Sequence, residues 1–344
     1  MNLREKTMKT IPQKTWLGKP HEINPKISRW QRDFPEIVRV DEEKQFSGDS
    51  VYAITVTAKD NYRKKNFLLA VPHAHEPAGT AAAMNFLNEV ITGKKLDGSR
   101  SNLPREEILK RVRLTFIPVC NPYGRKKSPV DWWDGTKYSN EEFEYIMVGR
   151  LLGNPPVKIV NEFWHYHVIF NQEVERLEEI GIVWEKLSDN LYCEPNSFKG
   201  ATWWKLVEKL SDEFHYDQFI LLHQGMEDWE KMDTLVIHPR EYWIPQKTIE
   251  YADRMENKVI EAWKNVGASP HPGDKDYYER AGKGRSPDLN KPDERRKCPL
   301  DWIAIKCGTP GITIEVQNNN QRTPAEEQLL YEQTAIEACV EMLL

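Results

Sequence analysis

The chain has 344 residues, of which 39% are hydrophobic and 29% are charged, so it is long enough to bury the core of an α/β enzyme. Its formal net charge of −5 gives no electrostatic reason to expect nucleic acid or an anionic membrane as a partner. The N-terminus lacks the apolar segment of a secretory signal, and no apolar run approaches the roughly 18 residues of a membrane span. With five scattered cysteines outside any CxxC spacing, the sequence predicts a cytoplasmic protein with reduced thiols.

The sequence of the first third of the chain predicts an arm, two helices and three strands. Residues 1–25 are polar and predict an extended arm, after which Ile27, Trp30 and Phe34 mark one face of a short helix. The alternation in "DSVYAITVTAKD" predicts a strand. The runs "KNFLLAVP" and "RVRLTFIPVC" are continuously apolar, as strands buried on both faces must be. Between them, "GTAAAMNFLNEVITG" predicts a helix that ends at Gly93.

The remainder of the chain continues to alternate helices with strands. A tryptophan-rich helical segment precedes the short strand "YDQFILLHQG", and a long helix, "PQKTIEYADRMENKVIEAWKNVG", follows it. Residues 270–300 hold Gly, Pro and charge, which predicts a surface excursion or lid. The strand "PGITIEVQ" and a final helix with a Thr-Pro-x-Glu start complete the chain. We therefore predict one domain over residues 26–344, a single α/β/α sandwich with a central mixed, mostly parallel sheet.

Three predicted strands lead into residues that are suited to metal chemistry. His73 and Glu76 follow "FLLAVP", His223 follows "QFILL", and Glu315 lies within "GITIEVQ". In such sheets ligands bind beyond the carboxyl ends of the strands, and a catalytic zinc takes three protein ligands. A close pair with a distant third ligand suits that geometry. Because an unpaired buried carboxylate is costly, Glu315 should face a cavity, a cation or water.

Other interpretations of these histidines remain open. With nine histidines and 53 acidic residues, chance His-x-x-Glu pairs on the surface are common, and His223 alone could be a core histidine. His73 and His75 also form the His-x-His of amidohydrolase barrels, but the eight strand–helix units of a barrel cannot be placed. His75 is expected in the pocket wall. His165 and His167, in "FWHYHVIF", are expected to pack among aromatic residues.

Four motifs together carry a family resemblance. "HAHE", "CNPYG", "FILLHQG" and "PGITIEV", in this order and near these spacings, resemble the zinc carboxypeptidases related to carboxypeptidase A. Those enzymes carry His-x-x-Glu after a strand, an Asn-Pro-Asp-Gly segment, a distal His after an apolar strand and a catalytic Glu near the end. The resemblance implies a carboxypeptidase-like catalytic domain, a Zn²⁺ cofactor and a peptide or small amide as substrate.

The resemblance also assigns roles to individual residues. It implies that His73, Glu76 and His223 bind zinc. It implies that Glu315 is the general base, which accepts a proton from the attacking water and passes it to the leaving amine. A nearby cation should stabilise the oxyanion, and Arg125 is our prediction for it. The lysines that compete with it are Lys126, Lys127 and Lys137.

Substrate recognition departs from the family pattern. The family's Asn-Pro-Asp-Gly has a tyrosine, Tyr123, at its third position here. The Asn-Arg pair that clamps a terminal carboxylate has no clear copy, and Arg150 is the nearest candidate, preceded by Gly149 in place of asparagine. Tyr278, with Tyr277 as an alternative, is predicted to cover the substrate.

The sequence thus predicts a zinc-dependent hydrolase that cleaves an amide or peptide bond next to a C-terminal carboxylate. A deacylase of N-acyl amino acids or other small amides on the same fold is the first alternative, because such enzymes differ in the carboxylate clamp. A catalytically inactive binding protein is the second alternative, and the intact ligand triad with Glu315 argues against it. The sequence makes no prediction of the oligomeric state.

Overall fold

The computed structural model describes residues 15–59, 63–149, 158–160, 180–189, 191–225, 232–238, 244–271 and 299–344. Within them, helices cover both faces of a central mixed sheet, and apolar side chains pack against each face. The predicted α/β/α sandwich is therefore confirmed.

The strands form one large and one small sheet. The strands of the large sheet are β1 (Val38–Lys44), β2 (Ser50–Val56), β3 (Lys65–Ala70), β4 (Val112–Ile117), β8 (Gln218–Gly225), β9 (Thr234–Ile237) and β10 (Gly311–Gln317). They lie in the order β1-β2-β4-β3-β8-β10-β9. The central strands β4, β3, β8 and β10 are parallel, whereas β1, β2 and β9 add antiparallel pairs at the edges. The small sheet contains β5 (Lys158–Val160), β6 (Glu185–Ser188) and β7 (Leu191–Cys193).

The helices divide between the two faces of the large sheet. Those that pack on one face are α1 (Pro20–Asp33), α2 (Pro77–Thr92), α3 (Arg105–Arg111), α7 (Gln246–Asn265) and α9 (Ala325–Glu341). Those that pack on the other face are α6 (Thr202–Glu213) and α8 (Pro299–Cys307). The remaining described helices, near the small sheet, are α4 (Pro122–Arg125) and α5 (Asn140–Val148).

Strand β8 shows how the sequence places a functional residue. Ile220 and Leu222 pack into the core on one face of the sheet, and Phe219 and Leu221 pack into the core on the other. All four side chains are buried, which explains why the strand is apolar at consecutive positions. Because side chains alternate along a strand, His223 extends from the face that carries Leu221, at the carboxyl end of β8.

The first helix begins earlier than the sequence analysis predicted. Helix α1 begins at Pro20, inside the predicted arm of residues 1–25, and Ile23 is already buried in the core. Of the predicted excursion at 270–300, residues 272–298 lie outside the described residues. None of the helices in the described ranges has the length and apolar character needed to cross a membrane.

Candidate metal centre

The structure brings His73, Glu76 and His223 together beyond the carboxyl ends of β3 and β8. His73 Nδ1 lies 2.7 Å from Glu76 Oε1 and 3.1 Å from His223 Nδ1. His223 Nδ1 lies 3.1 Å from Glu76 Oε2. All three side chains are buried. The ligand atoms of the three residues all lie within 4.8 Å of one another, so one ion could contact all of them.

The small residues after "HAHE" fix this arrangement. Glu76 occupies the N-cap position of α2, and Pro77 follows at the first helical position, where its missing N–H has no cost. A Cβ added to Gly79 would lie 2.8 Å from the Cβ of Leu222. Glycine therefore allows the first turn of α2 to approach β8 closely, which holds Glu76 against the strand that carries His223.

A second carboxylate, Glu194, supports His73 from the other side of its ring. Glu194 follows β7, is fully buried, and its Oε1 lies 2.8 Å from His73 Nε2. It also accepts hydrogen bonds from the backbone N–H of Asn196 and the hydroxyl of Ser197. Metal-binding histidines usually donate their second N–H to a carboxylate in this way. The sequence analysis missed Glu194, and the one available signal was a carboxylate directly after the apolar "LYC".

The electrostatics of the cluster suit a cation. Burial opposes a charge on His73, but Glu76 and Glu194 outweigh it and raise the pKa of His73 to about 10. Burial by itself would raise the pKa of Glu76, yet His223 and His73 hold that pKa well below its usual range. Burial lowers the pKa of His75 to about 3, although Glu76 opposes the shift. Two imidazoles and an ionised carboxylate that meet at one point fit the donor set of a zinc ion.

Glu315 lies beside this cluster on the next strand. In the parallel pairing of β10 with β8, Glu315 is directly opposite His223, and such partners carry their side chains on the same face. Its neighbours Ile314 and Val316 are fully buried, whereas Glu315 is partly exposed. The carboxylate thus shares a sheet face with His223 and has access to water.

Arg125 is a buried cation near the cluster. The residue is 1% exposed, and its Nη2 lies 3.5 Å from the backbone oxygen of His73. Within the described ranges, Nε and Nη1 have no hydrogen-bond partner. Burial lowers the pKa of the guanidinium to about 9, against the attraction of Glu76. A guanidinium has five N–H donors, so Arg125 keeps unused donors next to the cluster.

The "CNPYG" segment builds the turn that orients Arg125. Asn121 Oδ1 accepts from the Gly124 N–H at 3.0 Å, and its Nδ2 donates to the Val183 oxygen at 3.0 Å. A Cβ on Gly124 would lie 1.9 Å from the Ile182 oxygen, so this helical turn requires glycine. The motif therefore packs the turn after β4 against the segment that precedes β6, and Arg125 is buried in this turn.

Part of the chain matches a known protein family in sequence. Residues 23–151 match the sequence model of the zinc carboxypeptidase family. The resemblance seen in the sequence is confirmed. The matched segment contains His73, Glu76 and Arg125 and ends before His223 and Glu315. No curated protein matches the chain in sequence.

Solved structures, two of them named as carboxypeptidases, are similar in fold over most of the chain. The bovine thrombin-activatable fibrinolysis inhibitor, in complex with tick carboxypeptidase inhibitor, is 13% identical with a TM-score of 0.56, over 96% of this chain and 99% of that one. The Burkholderia cenocepacia metallocarboxypeptidase is 14% identical with a TM-score of 0.54, over 94% and 68%. The Helicoverpa armigera carboxypeptidase A is 11% identical with a TM-score of 0.56, over 95% and 72%. These likenesses show the fold, and the predicted enzyme class, a zinc metallocarboxypeptidase-like hydrolase, agrees with the family match.

The other residues that the sequence analysis singled out have different surroundings or lie outside the described residues. Among the competing lysines, Lys126 pairs with Asp49 at 2.6 Å, and Lys127 and Lys137 lie over tyrosine rings. The predicted residues outside the described ranges are Arg150, Tyr278, Tyr277, His165 and His167. His75 stacks on the ring of His73, with centroids 5.1 Å apart, next to the cluster.

Proposed function

We propose that the protein is a zinc-dependent hydrolase that cleaves an amide or peptide bond next to a C-terminal carboxylate. The observation that carries the proposal is the convergence of ligand atoms from His73, Glu76 and His223 within 4.8 Å of one another. Glu315 on the neighbouring strand, opposite His223, adds the carboxylate that hydrolysis needs.

The residues divide the chemistry among them. His73, Glu76 and His223 would hold the ion, and a bound Zn²⁺ would supply Lewis acidity toward water and a carbonyl oxygen. Glu194 fixes the orientation of the His73 ring by accepting its Nε2–H. Glu315 accepts a proton from the attacking water and returns it to the leaving amine.

Arg125 supplies hydrogen-bond donors to the oxygen that becomes negative during the reaction. A buried guanidinium with two unused nitrogen donors destabilises the folded state, because those donors have lost water without gaining a partner. Residues that break such rules are expected at functional sites. The loss of folding stability caused by burying Arg125 is thus consistent with a role for this residue in binding an anionic group beside the cluster.

The direct test is Glu315→Gln. This variant keeps the size of the side chain and all three proposed zinc ligands, so it should retain zinc while turnover falls at least about a hundredfold. Zinc content and turnover of peptides with a free C-terminus are measured on the same samples. Glu36→Gln, at an exposed position, serves as the matched control. Unchanged turnover of Glu315→Gln would exclude the role of Glu315 as base.

The substrate panel separates the alternatives. N-acyl amino acids and blocked C-terminal amides are tested beside the peptides. Preferential hydrolysis of N-acyl amino acids would favour the deacylase, whose carboxylate clamp need not contain the family's Asn-Arg pair. Zinc binding without turnover of any member would favour the inactive binding protein. We also propose a cytoplasmic location, and the free thiols of the four cysteines among the described residues are consistent with it.

A further inference from the structure

A second group of metal-binding side chains lies at the edge of the sheet. His238 directly follows the edge strand β9, and Asp253 and Glu256 are three residues apart on α7. His238 Nε2 lies 3.0 Å from Glu256 Oε2 and 3.1 Å from Asp253 Oδ1. The three ligand atoms all lie within 4.8 Å of one another. We call these three residues the edge cluster, and His73, Glu76 and His223 the central cluster.

The edge cluster is separate from the proposed active site. Strand β9 runs antiparallel to β10, with Ile237 opposite Thr313 and Leu235 opposite Glu315. The chain therefore moves away from Glu315 as it approaches His238, toward the amino ends of the parallel strands. The central cluster lies beyond their carboxyl ends.

Burial and charge indicate what the edge cluster can bind. The His238 side chain is fully buried and that of Glu256 is 10% exposed, whereas Asp253 is 43% exposed. The three ligand atoms lie close enough together for one divalent cation to contact all of them. The exposed side at Asp253 leaves room for water ligands.

We propose that His238, Asp253 and Glu256 bind a divalent transition-metal ion. The imidazole nitrogen is a ligand that suits Zn²⁺, and the two carboxylate oxygens are ligands that both Zn²⁺ and Mn²⁺ accept. The ion joins the end of β9 to α7, the helix that packs on that face of the sheet. Its role is structural, and the proposal stands independently of the hydrolase activity.

The test is a metal titration of the full-length chain after its metal has been removed. Zn²⁺ is titrated by calorimetry and Mn²⁺ by electron paramagnetic resonance. The wild-type chain should bind a second equivalent, which His223→Ala keeps. Asp253→Asn and Glu256→Gln should weaken that equivalent at least about tenfold, the lower end for disturbed metal sites. Glu250→Gln, at an exposed position on the same helix, should leave it unchanged.

Folding is checked by circular dichroism and thermal melting. Asp253→Asn changes a half-exposed side chain with almost no change in size, so it decides the question even if His238→Ala fails to fold. Absence of bound Zn²⁺ and Mn²⁺ from His223→Ala would overturn the proposal and leave the edge cluster as a buried ion pair. Equal affinity in Asp253→Asn, Glu256→Gln and the wild type would overturn it as well. Neither outcome depends on turnover, so failure of the hydrolase proposal is separately visible.

Discussion

The central and edge clusters use similar side chains in different surroundings. In the central cluster the ligand atoms come from two distant segments, all are buried, and Glu194 holds His73 from behind. In the edge cluster both carboxylates come from one turn of α7, and Asp253 is 43% exposed. The central cluster therefore depends on the packing of the sheet, whereas two of the three edge-cluster ligands come together as soon as α7 is helical.

Their neighbours differ as well. Beside the central cluster lie Glu315, which shares a sheet face with His223, and Arg125, two of whose nitrogens have no hydrogen-bond partner among the described residues. A metal ion bound there would have a carboxylate and a guanidinium in the same region of the fold, the groups that our hydrolase proposal requires. Three ligand atoms are enough to bind a metal ion, whereas catalysis of hydrolysis also requires suitable residues around the ion. Four variants test this difference between the two clusters.

The largest effect is expected for His223→Ala. Loss of this ligand should release the central zinc and lower turnover by about a thousandfold or more, because Lewis-acid stabilisation is worth several kcal/mol and about 1.4 kcal/mol is a factor of ten. Zinc content and turnover are measured together. His215→Ala, at an exposed position, is the control. Full retention of the central zinc would show that the ligand assignment is wrong.

Arg125→Met should separate activity from stability. Turnover is expected to fall about 100- to 1,000-fold, as for the loss of an oxyanion donor. The melting temperature should stay constant or rise, because an apolar side chain of similar length replaces a buried charge with unused donors. The exposed Arg32→Met is the control. A lower melting temperature with unchanged turnover would instead make Arg125 a structural residue.

Glu185→Gln tests the support beneath the central cluster. Glu185 pairs across the small sheet with Cys193, next to Glu194, and accepts the Thr202 N–H at 3.0 Å. Burial raises the pKa of Glu185 to about 7. The folded state holds this proton more tightly than the unfolded state does. Protonation of Glu185 therefore stabilises the folded state fully below pH 4.5, the ordinary pKa of a glutamate, and this stabilisation is lost as the pH rises to 7. The wild type should lose up to about 3 kcal/mol of unfolding free energy across this window.

The variant lacks this titration, so the difference in unfolding free energy between Glu185→Gln and the wild type should shift in favour of the variant from pH 5 to pH 8. Urea denaturation at both pH values measures it. A difference that does not change with pH would show that Glu185 is not protonated in the folded protein at pH 5. Glu36→Gln, at an exposed position, should show no such trend.

The parts of the fold that sequence could predict are those with long patterns. Strands β3, β4 and β8 are buried over most of their length and contain apolar runs, and α2 ends at Gly93, whose φ of 72° favours glycine. Because parallel strands end at one edge of the sheet, their terminal residues could be predicted to meet. The start of α1 also left a signal, since Pro20 stands at its first position and Glu22 accepts the Lys19 N–H.

What the sequence could not predict depends on short elements and distant contacts. The strands of the small sheet have three or four residues, too few for a period to be recognised. Glu194 follows one of these short strands, and no sequence pattern indicates that it contacts His73, which lies 121 residues away. Arg125 reads as a solvated side chain in "YGRKK", and only the close approach of Gly124 to the Ile182 oxygen explains its burial. Edge strand β9, of four residues, was missed for the same reason, and the edge cluster with it.

The smallest effect is expected for Glu194→Gln, and it tests the difference between the two clusters most directly. Glutamine keeps a hydrogen bond to His73 Nε2 but removes the negative charge that favours the ring orientation and basicity a metal requires, so the central Zn²⁺ affinity should fall about 10- to 100-fold. The edge equivalent should be unaffected, because the ligand that Glu194 contacts, His73, belongs to the central cluster. Competition with a fluorescent zinc chelator measures both affinities in one titration. An equal loss at both clusters would point to general destabilisation, whereas no loss at the central cluster would mean that His73 is held by packing alone.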